Sequence, residues 1–339
     1  MTALLELRGL TVELAVPLRE SGRAGVWVRP VNEVSLRMER GGSLGLVGES
    51  GSGKTMLALA LMGLLPQGAR VTGAARLNGE GGGREVDLAA LAENEWTGIR
   101  GQRIAMVFQE PMTALNPVMR AGQQIGEAIR AHNRGLGRDE VQRRVIAALE
   151  RAAVPEPELR ARQYPHELSG GLRQRVMIAM ALAAGAESEN GAGGGRLLIA
   201  DEPTTALDVT VQKQILALLV ELRRELGLSL IFITHDLAVV SQVAERVAVM
   251  YAGRVVEEGP TGEVLRAPRH PYTEGLLRAS PQLSRRELVP IPGMVPALDA
   301  LPPGCAFAPR CSLRRDACVE AVPEPRAAGP GHEARCILV

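Results

Sequence analysis

Lysine is almost missing from this chain of 339 residues: 37 of its 39 basic residues are arginine, and only Lys54 and Lys213 are lysine. A compact ammonium and a planar guanidinium are not interchangeable, so a lysine in such a background needs a local reason. Aromatic residues are also scarce, eight in all, which leaves few rings for stacking on a ligand. No apolar run approaches the roughly 20 residues that cross a bilayer; one of the longest covers only residues 176–186. Charge of one sign is lacking too. The formal net charge is +1, which gives no support to a bulk electrostatic hold on nucleic acid or lipid. The first residues carry Glu6 and no basic leader before an apolar run, so no signal peptide and a cytosolic location are expected. Membrane contact would then run through a partner. With 46% hydrophobic and 23% charged residues the composition is that of a globular protein, long enough for one large core and a small appendage.

Lys54 has its local reason. Residues 43–48 form a short apolar run, followed by Gly48, Glu49, Ser50, Gly51, Ser52, Gly53, Lys54 and Thr55, then by the apolar stretch 56–63. Strand, glycine-rich turn, Lys-Thr and helix are the context in which G-x-x-x-x-G-K-[ST] binds phosphate. Glycines let backbone N–H groups converge on phosphate oxygens, and the helix N-terminus adds its positive end. Lys54 is expected to reach the β- and γ-phosphates, and the Thr55 hydroxyl to ligate Mg²⁺. From this composition, about 0.002 such matches would arise by chance.

Residues 196–203 read Arg-Leu-Leu-Ile-Ala-Asp-Glu-Pro, an apolar strand ending in Asp201 and Glu202. Asp201 is placed to hold Mg²⁺ and Glu202 to orient or deprotonate an attacking water, a pairing that favours ATP hydrolysis. A second apolar strand, 228–233, ends in Thr234, His235 and Asp236. In parallel α/β sheets ligands bind beyond the carboxyl ends of strands, so Gly48, Asp201 and His235 are expected to face one pocket. Between these segments, residues 168–175 read Leu-Ser-Gly-Gly-Leu-Arg-Gln-Arg ahead of an apolar helix. Ser169 is a good N-cap, and Gly170 and Gly171 expose N–H groups, which makes a second anion site with Arg173 and Arg175 nearby.

In this order the motifs resemble those of ATP-binding cassette (ABC) ATPases. Residues 48–55 match the Walker A loop, 168–174 the LSGGQ signature, 197–202 Walker B, 206–208 the D-loop with Asp208, and His235 the switch histidine. Gln109, at the end of Ile-Ala-Met-Val-Phe-Gln, matches the Q-loop glutamine that contacts Mg²⁺ and water. The resemblance implies an α/β fold: a P-loop NTPase core with an antiparallel β subdomain and a helical signature subdomain at about 112–180, together spanning 1–265. It implies ATP and Mg²⁺, Glu202 as catalytic base, His235 on the γ-phosphate, and a second cassette facing the first. Residues 108–117, 164–176, 200–211, 270–273 and 301–311 are similar to the oligopeptide/dipeptide importer branch, which extends the likeness over the C-terminal part, 266–339. That branch implies a heterodimer with a related ATPase, two permease subunits and an extracytoplasmic substrate-binding protein, at the cytoplasmic face of the inner membrane. Two departures stand out: Leu172 where Met is usual, and no evident adenine-stacking aromatic near Leu14, for which Trp27 competes with a core or interface role.

All four cysteines, Cys305, Cys311, Cys318 and Cys336, lie in the last 35 residues. A reducing cytosol disfavours disulfides, and the short C-x₂₋₄-C pairs usual for zinc are missing. Four thiolates at wider spacing suit an iron–sulfur cluster, and members of the resembling branch are thought to carry [4Fe–4S] there. Zinc and unligated thiols remain open at this point. So do other cargoes, such as nickel, glutathione or antimicrobial peptides, and the separate class of soluble cassettes that act in DNA repair or translation. The Gly-, Glu- and Ser-rich stretch 185–195 reads as a flexible insertion.

Overall fold

The computed structural model describes residues 3–16, 25–79, 85–185, 196–205, 207–283 and 288–339. Most of the 185–195 insertion and Ala206 of the D-loop therefore lie outside the described residues. The chain forms two compact units, residues 1–90 with 232–339 and residues 91–231.

The first unit opens with β1 (Ala3–Val16) and β2 (Val26–Glu39), then β3 (Ser43–Val47), α1 (Lys54–Met62), β4 (Arg70–Leu77) and β5 (Val86–Asp87). β2, β1, β4 and β5 make an antiparallel sheet in that order. Along β2, Val34, Leu36 and Met38 are buried and Ser35 and Arg37 face out, the period-two pattern of a sheet with one wet face. β3 is different: Ser-Leu-Gly-Leu-Val is buried at every position, as expected of a parallel strand covered on both faces.

The second unit contains β6 (Ile104–Val107), α2 (Pro111–Ala114), α3 (Ala121–His132), α4 (Arg138–Arg151), α5 (Pro157–Arg162), α6 (Gly170–Ala183), β7 (Leu197–Asp201) and α7 (Val209–Glu225). β6 runs parallel to β7, with Ile104 opposite Leu197 and Val107 opposite Ala200. Helices α3, α4, α5 and α6 pack on one another. Ile125 and Ile129 of α3 and Val141, Val145 and Leu149 of α4 recur at helical spacing and are buried. Each such side chain contributes about 1.5–3 kcal/mol by leaving water. β8 (Ser229–Thr234) carries the chain back to the first unit at Phe232.

There follow α8 (Leu237–Val243), β9 (Arg246–Tyr251), β10 (Arg254–Pro260), α9 (Thr261–Arg266), α10 (Pro271–Ala279), α11 (Ala317–Glu320), β11 (Arg326–Gly329) and β12 (His332–Ala334). In the first unit the main sheet runs β11-β12-β10-β9-β3, with the end of β8 beside β3. The C-terminal residues thus add two strands to the sheet that holds the phosphate loop. One carboxylate fastens them. Glu257 of β10, 1% exposed, accepts the backbone N–H groups of Arg269 (2.7 Å) and His270 (2.9 Å) and lies 2.7 Å from His332 Nε2 on β12. A buried carboxylate would be costly alone; three partners make this one a tether.

Candidate functional site

β3 ends at Val47 and the chain turns through residues 48–53 into α1. The turn needs glycine at two places. A Cβ on Gly48 would lie 2.2 Å from the Met250 carbonyl oxygen, and one on Gly53, at φ 103°, 2.0 Å from that of Pro30. The loop is pulled that close because Gly253 N–H donates to the Ser52 carbonyl at 3.0 Å. Lys54 folds back over the turn. Its Nζ donates to the carbonyls of Gly48 (2.7 Å) and Glu49 (3.1 Å) and to Ser52 Oγ (3.3 Å), and the residue is 5% exposed. Ser50 and Gly51 are exposed at the crest, and Thr55 is exposed in the first turn of α1. A turn packed this closely on Pro30 and Met250, with an ammonium held at its floor and a helix N-terminus behind it, fits a chain of phosphates. In the same unit His235 is exposed directly after β8, where Asp236 caps α8 by accepting the Ala238 N–H at 2.8 Å.

The second unit gathers another set. Gln109 follows β6, and its Nε2 donates to Glu202 Oε2 at 3.4 Å; Thr205 Oγ1 donates to the same oxygen at 2.8 Å. Asp201 closes β7 and is 1% exposed. Glu202 then adopts φ 44°, a left-handed conformation that costs a non-glycine residue about 1–3 kcal/mol. The reversal separates the two carboxylates: Asp201 stays in the sheet and Glu202 swings out to Gln109 and Thr205. Ser169 Oγ accepts the Leu172 N–H at 3.3 Å, which caps α6 and leaves Ser169 and Gly170 exposed at its N-terminus. Asp208 caps α7, accepting the N–H groups of Thr210 (3.0 Å) and Val211 (2.9 Å). The two arginines expected to enrich the anion site at α6 are occupied elsewhere. Arg173 donates to the carbonyl of Pro165 (2.6 Å), and Arg175 to those of Ala152 and Ala153 (3.2 Å each).

The four cysteines form no disulfide with one another and line one cavity of about 20 Å³, together with His270, Phe307 and Leu313. Burial holds the thiols of Cys305, Cys311 and Cys336 above their ordinary range, and neighbouring cysteines add to the shift. Among the described residues no three Cys, His, Asp or Glu side chains are already arranged to hold a metal ion.

The family description "ABC transporter" matches residues 31–205, and "Oligopeptide/dipeptide transporter, C-terminal region" matches residues 256–318. The chain belongs to the ABC transporter ATPases, in their oligopeptide/dipeptide branch. A putative peptide import ATP-binding protein of Brucella ovis is 49% identical to this cassette over 98% of its length and 96% of the relative's. The oligopeptide transport ATP-binding protein OppD of Mycobacterium tuberculosis is 46% identical over 99% of the cassette and 52% of OppD. A dimeric ATP-binding cassette in a post-hydrolysis state with ADP and Pi is 27% identical, with a TM-score of 0.60 over 76% of this chain and 98% of that one.

Three features of the cassette escaped sequence reasoning. Arg310 pairs with Glu49 inside the phosphate loop, and Tyr272 Oη accepts the Glu49 N–H at 2.8 Å. Arg196, read as the first residue of a strand, donates to the carbonyls of Leu182 (3.0 Å), Ala181 (2.9 Å) and Gly101, so it caps the C-terminal end of α6. Trp27 sits on β2 with the Arg70 guanidinium 3.9 Å over its ring, a cation–π contact that occupies one face of the indole. Among the described residues no helix is long and apolar enough to cross a membrane.

Proposed function

We propose that this cassette is the ATP-hydrolysing motor of a peptide importer. The observation that carries the cargo class is the match of residues 256–318 to the C-terminal region of oligopeptide/dipeptide transporters, with 49% identity to a peptide import protein over nearly the whole chain. In this reading residues 1–265 are the cassette and 266–339 the branch-specific extension. Lys54 binds the β- and γ-phosphates, and the N–H groups of the 48–53 turn receive their oxygens. Thr55, Gln109 and Asp201 are the residues to hold Mg²⁺, which supplies charge neutralisation on the phosphates. Glu202 takes the proton of the attacking water, while Gln109 and Thr205 fix the direction of its carboxylate. His235 donates to the γ-phosphate.

One copy of each motif means that closed sites need a second cassette. Ser169, Gly170, Gly171 and Asp208 serve the nucleotide bound on that partner, a related but distinct ATPase in the importer branch. The pair stands beneath two permease subunits at the cytoplasmic face of the inner membrane, fed by an extracytoplasmic binding protein; nucleic acid has no part. Co-expression with its permeases in a peptide auxotroph tests the assignment. Growth on peptides that depends on Glu202 supports it, and growth indifferent to the cassette refutes it.

The extension carries a second proposal, a [4Fe–4S] cluster on Cys305, Cys311, Cys318 and Cys336. Its support is that all four thiols line one cavity, although their side chains must turn to reach a shared centre. Four thiolates supply the donor set such a cluster takes, and the cluster would add a cross-link to a segment with little regular structure. Brown protein with matching iron and sulfide after anaerobic purification supports it. Colourless, iron-free and fully folded protein overturns it.

A further inference from the structure

Glu49 is an unexpected residue for a loop that receives polyphosphate, because its carboxylate has the same sign as the ligand. Every polar part of it is held. Its carbonyl accepts Lys54 Nζ at 3.1 Å and its N–H donates to Tyr272 Oη at 2.8 Å. Its two carboxylate oxygens receive the fork of Arg310, Oε2 from Nη1 at 2.6 Å and Oε1 from Nη2 at 3.0 Å. The Arg310 side chain is 4% exposed and that of Glu49 31%. It is fixed further by Nε donating to the Pro292 carbonyl at 2.9 Å and by Nη1 donating to Tyr251 Oη at 3.3 Å. Its guanidinium lies 5.8 Å and 5.9 Å from the ring centroids of Tyr251 and Phe307. Tyr251, Tyr272 and Phe307 pack edge to face or tilted with centroids 4.6–5.4 Å apart, so three of the eight aromatic residues of the chain wall this one ion pair.

The pair spans 261 residues of sequence and joins the phosphate loop to the turn between Cys305 and Cys311. That turn is tight: Ala308 N–H donates to the Cys305 carbonyl, and Cys311 N–H to that of Ala308. Arg310 thus has no freedom of its own once the extension is folded. A bidentate Arg–carboxylate bond is strong and directional, and loss of one buried partner leaves the other charge uncompensated. Here the charge left behind would be negative, beside a site for a polyanion.

We propose that Arg310 is a positioning residue of the nucleotide site: it neutralises Glu49 and locks the phosphate loop in its receptive shape, which makes the C-terminal extension a working part of ATP binding. This rests on the nucleotide-binding role of the loop and goes beyond it. The test is equilibrium titration of the purified full-length chain with a fluorescent N-methylanthraniloyl ATP analogue and Mg²⁺, for wild type, Arg310→Gln, Arg310→Lys and the double variant Arg310→Gln/Glu49→Gln. Arg310→Gln should weaken binding about tenfold or more. Arg310→Lys, which keeps the charge but loses the fork, should bind more weakly than wild type and more tightly than Arg310→Gln, and the double variant should regain most of the lost affinity because no bare carboxylate remains. In the assembled transporter the loss should fall on KM for ATP, with kcat within about twofold. Native affinity in Arg310→Gln overturns the proposal. So does a double variant as weak as the single one, which would mean that Arg310 acts by packing alone. Thermal melting of each variant separates a binding loss from unfolding; if Arg310→Gln does not fold, Arg310→Lys binding as weakly as Lys54→Ala overturns the charge role. Failure of the wild-type chain to bind the analogue would instead refute the nucleotide role itself.

Discussion

The Thr205 hydroxyl donates to the Glu202 carboxylate at 2.8 Å, on the side chain that a left-handed backbone turns out of β7. A strained φ persists only where its surroundings hold it, and Thr205 and Gln109 are two of the residues that hold this one. Glu202→Gln should keep nucleotide affinity and lose turnover by about two to four orders of magnitude, because water loses its base. Thr205→Val should lose about tenfold in kcat with unchanged ATP affinity, since only the aim of the carboxylate is relaxed. Steady-state ATPase kinetics beside a binding titration separate the two effects, and wild-type turnover in Glu202→Gln would remove the base assignment.

Lys54 is held against two carbonyls and the Ser52 hydroxyl, which fixes its ammonium at the floor of the turn. Lys54→Ala should weaken ATP binding by about a hundredfold, and Lys54→Arg should fail to restore it because the fork is too large for the cradle. Fluorescence titration checks both. Unchanged affinity in Lys54→Ala would break the link between this lysine and phosphate.

Arg196 is 8% exposed, and burial pushes its pKa down to about 10, which leaves it charged at neutral pH. Its donors satisfy the last carbonyls of α6, the helix whose first residues are the signature. Arg196→Ala should cost about 3 kcal/mol, because buried carbonyls lose their donors. Urea denaturation measures this, and a loss below about 0.5 kcal/mol would show that water replaces the guanidinium.

His270 is 2% exposed; its Nδ1 accepts the Tyr272 N–H at 3.1 Å, while Glu257 Oε2 accepts its own N–H. Burial lowers its pKa from the ordinary 6.5 to about 4. With the folded value depressed, the unfolded chain takes up the proton first as pH falls. Stability is full above about pH 6.5 and declines toward pH 4 by about 1.4 kcal/mol per unit. His270→Asn keeps a cap for Tyr272 and removes the titration, so the difference in stability between wild type and variant should shrink as pH drops from 7 to 4.5. A difference that does not change with pH would contradict the neutral histidine.

Much of this protein was legible in one dimension. The phosphate loop, the Asp201–Glu202 strand end, the cap at Ser169 and the all-apolar strands each rest on neighbours within a few residues, where backbone geometry and side-chain period act directly. The grouping of cysteines was legible too, and all four line one cavity.

What remained hidden has a common cause. Arg310 and Glu49 are 261 residues apart, Tyr272 and Glu49 are 223 apart, and no local pattern marks an arginine that will lose its water. The two arginines beside the signature looked like anion ligands, because proximity in sequence does not say where a long side chain will point. The residues from 48 to 55, with so few lysines elsewhere, by themselves determined that a nucleoside triphosphate is bound. Only the tertiary structure decided that the C-terminal extension reaches that loop, since burial of the Arg310 guanidinium depends on which distant surfaces fold against each other to exclude the solvent.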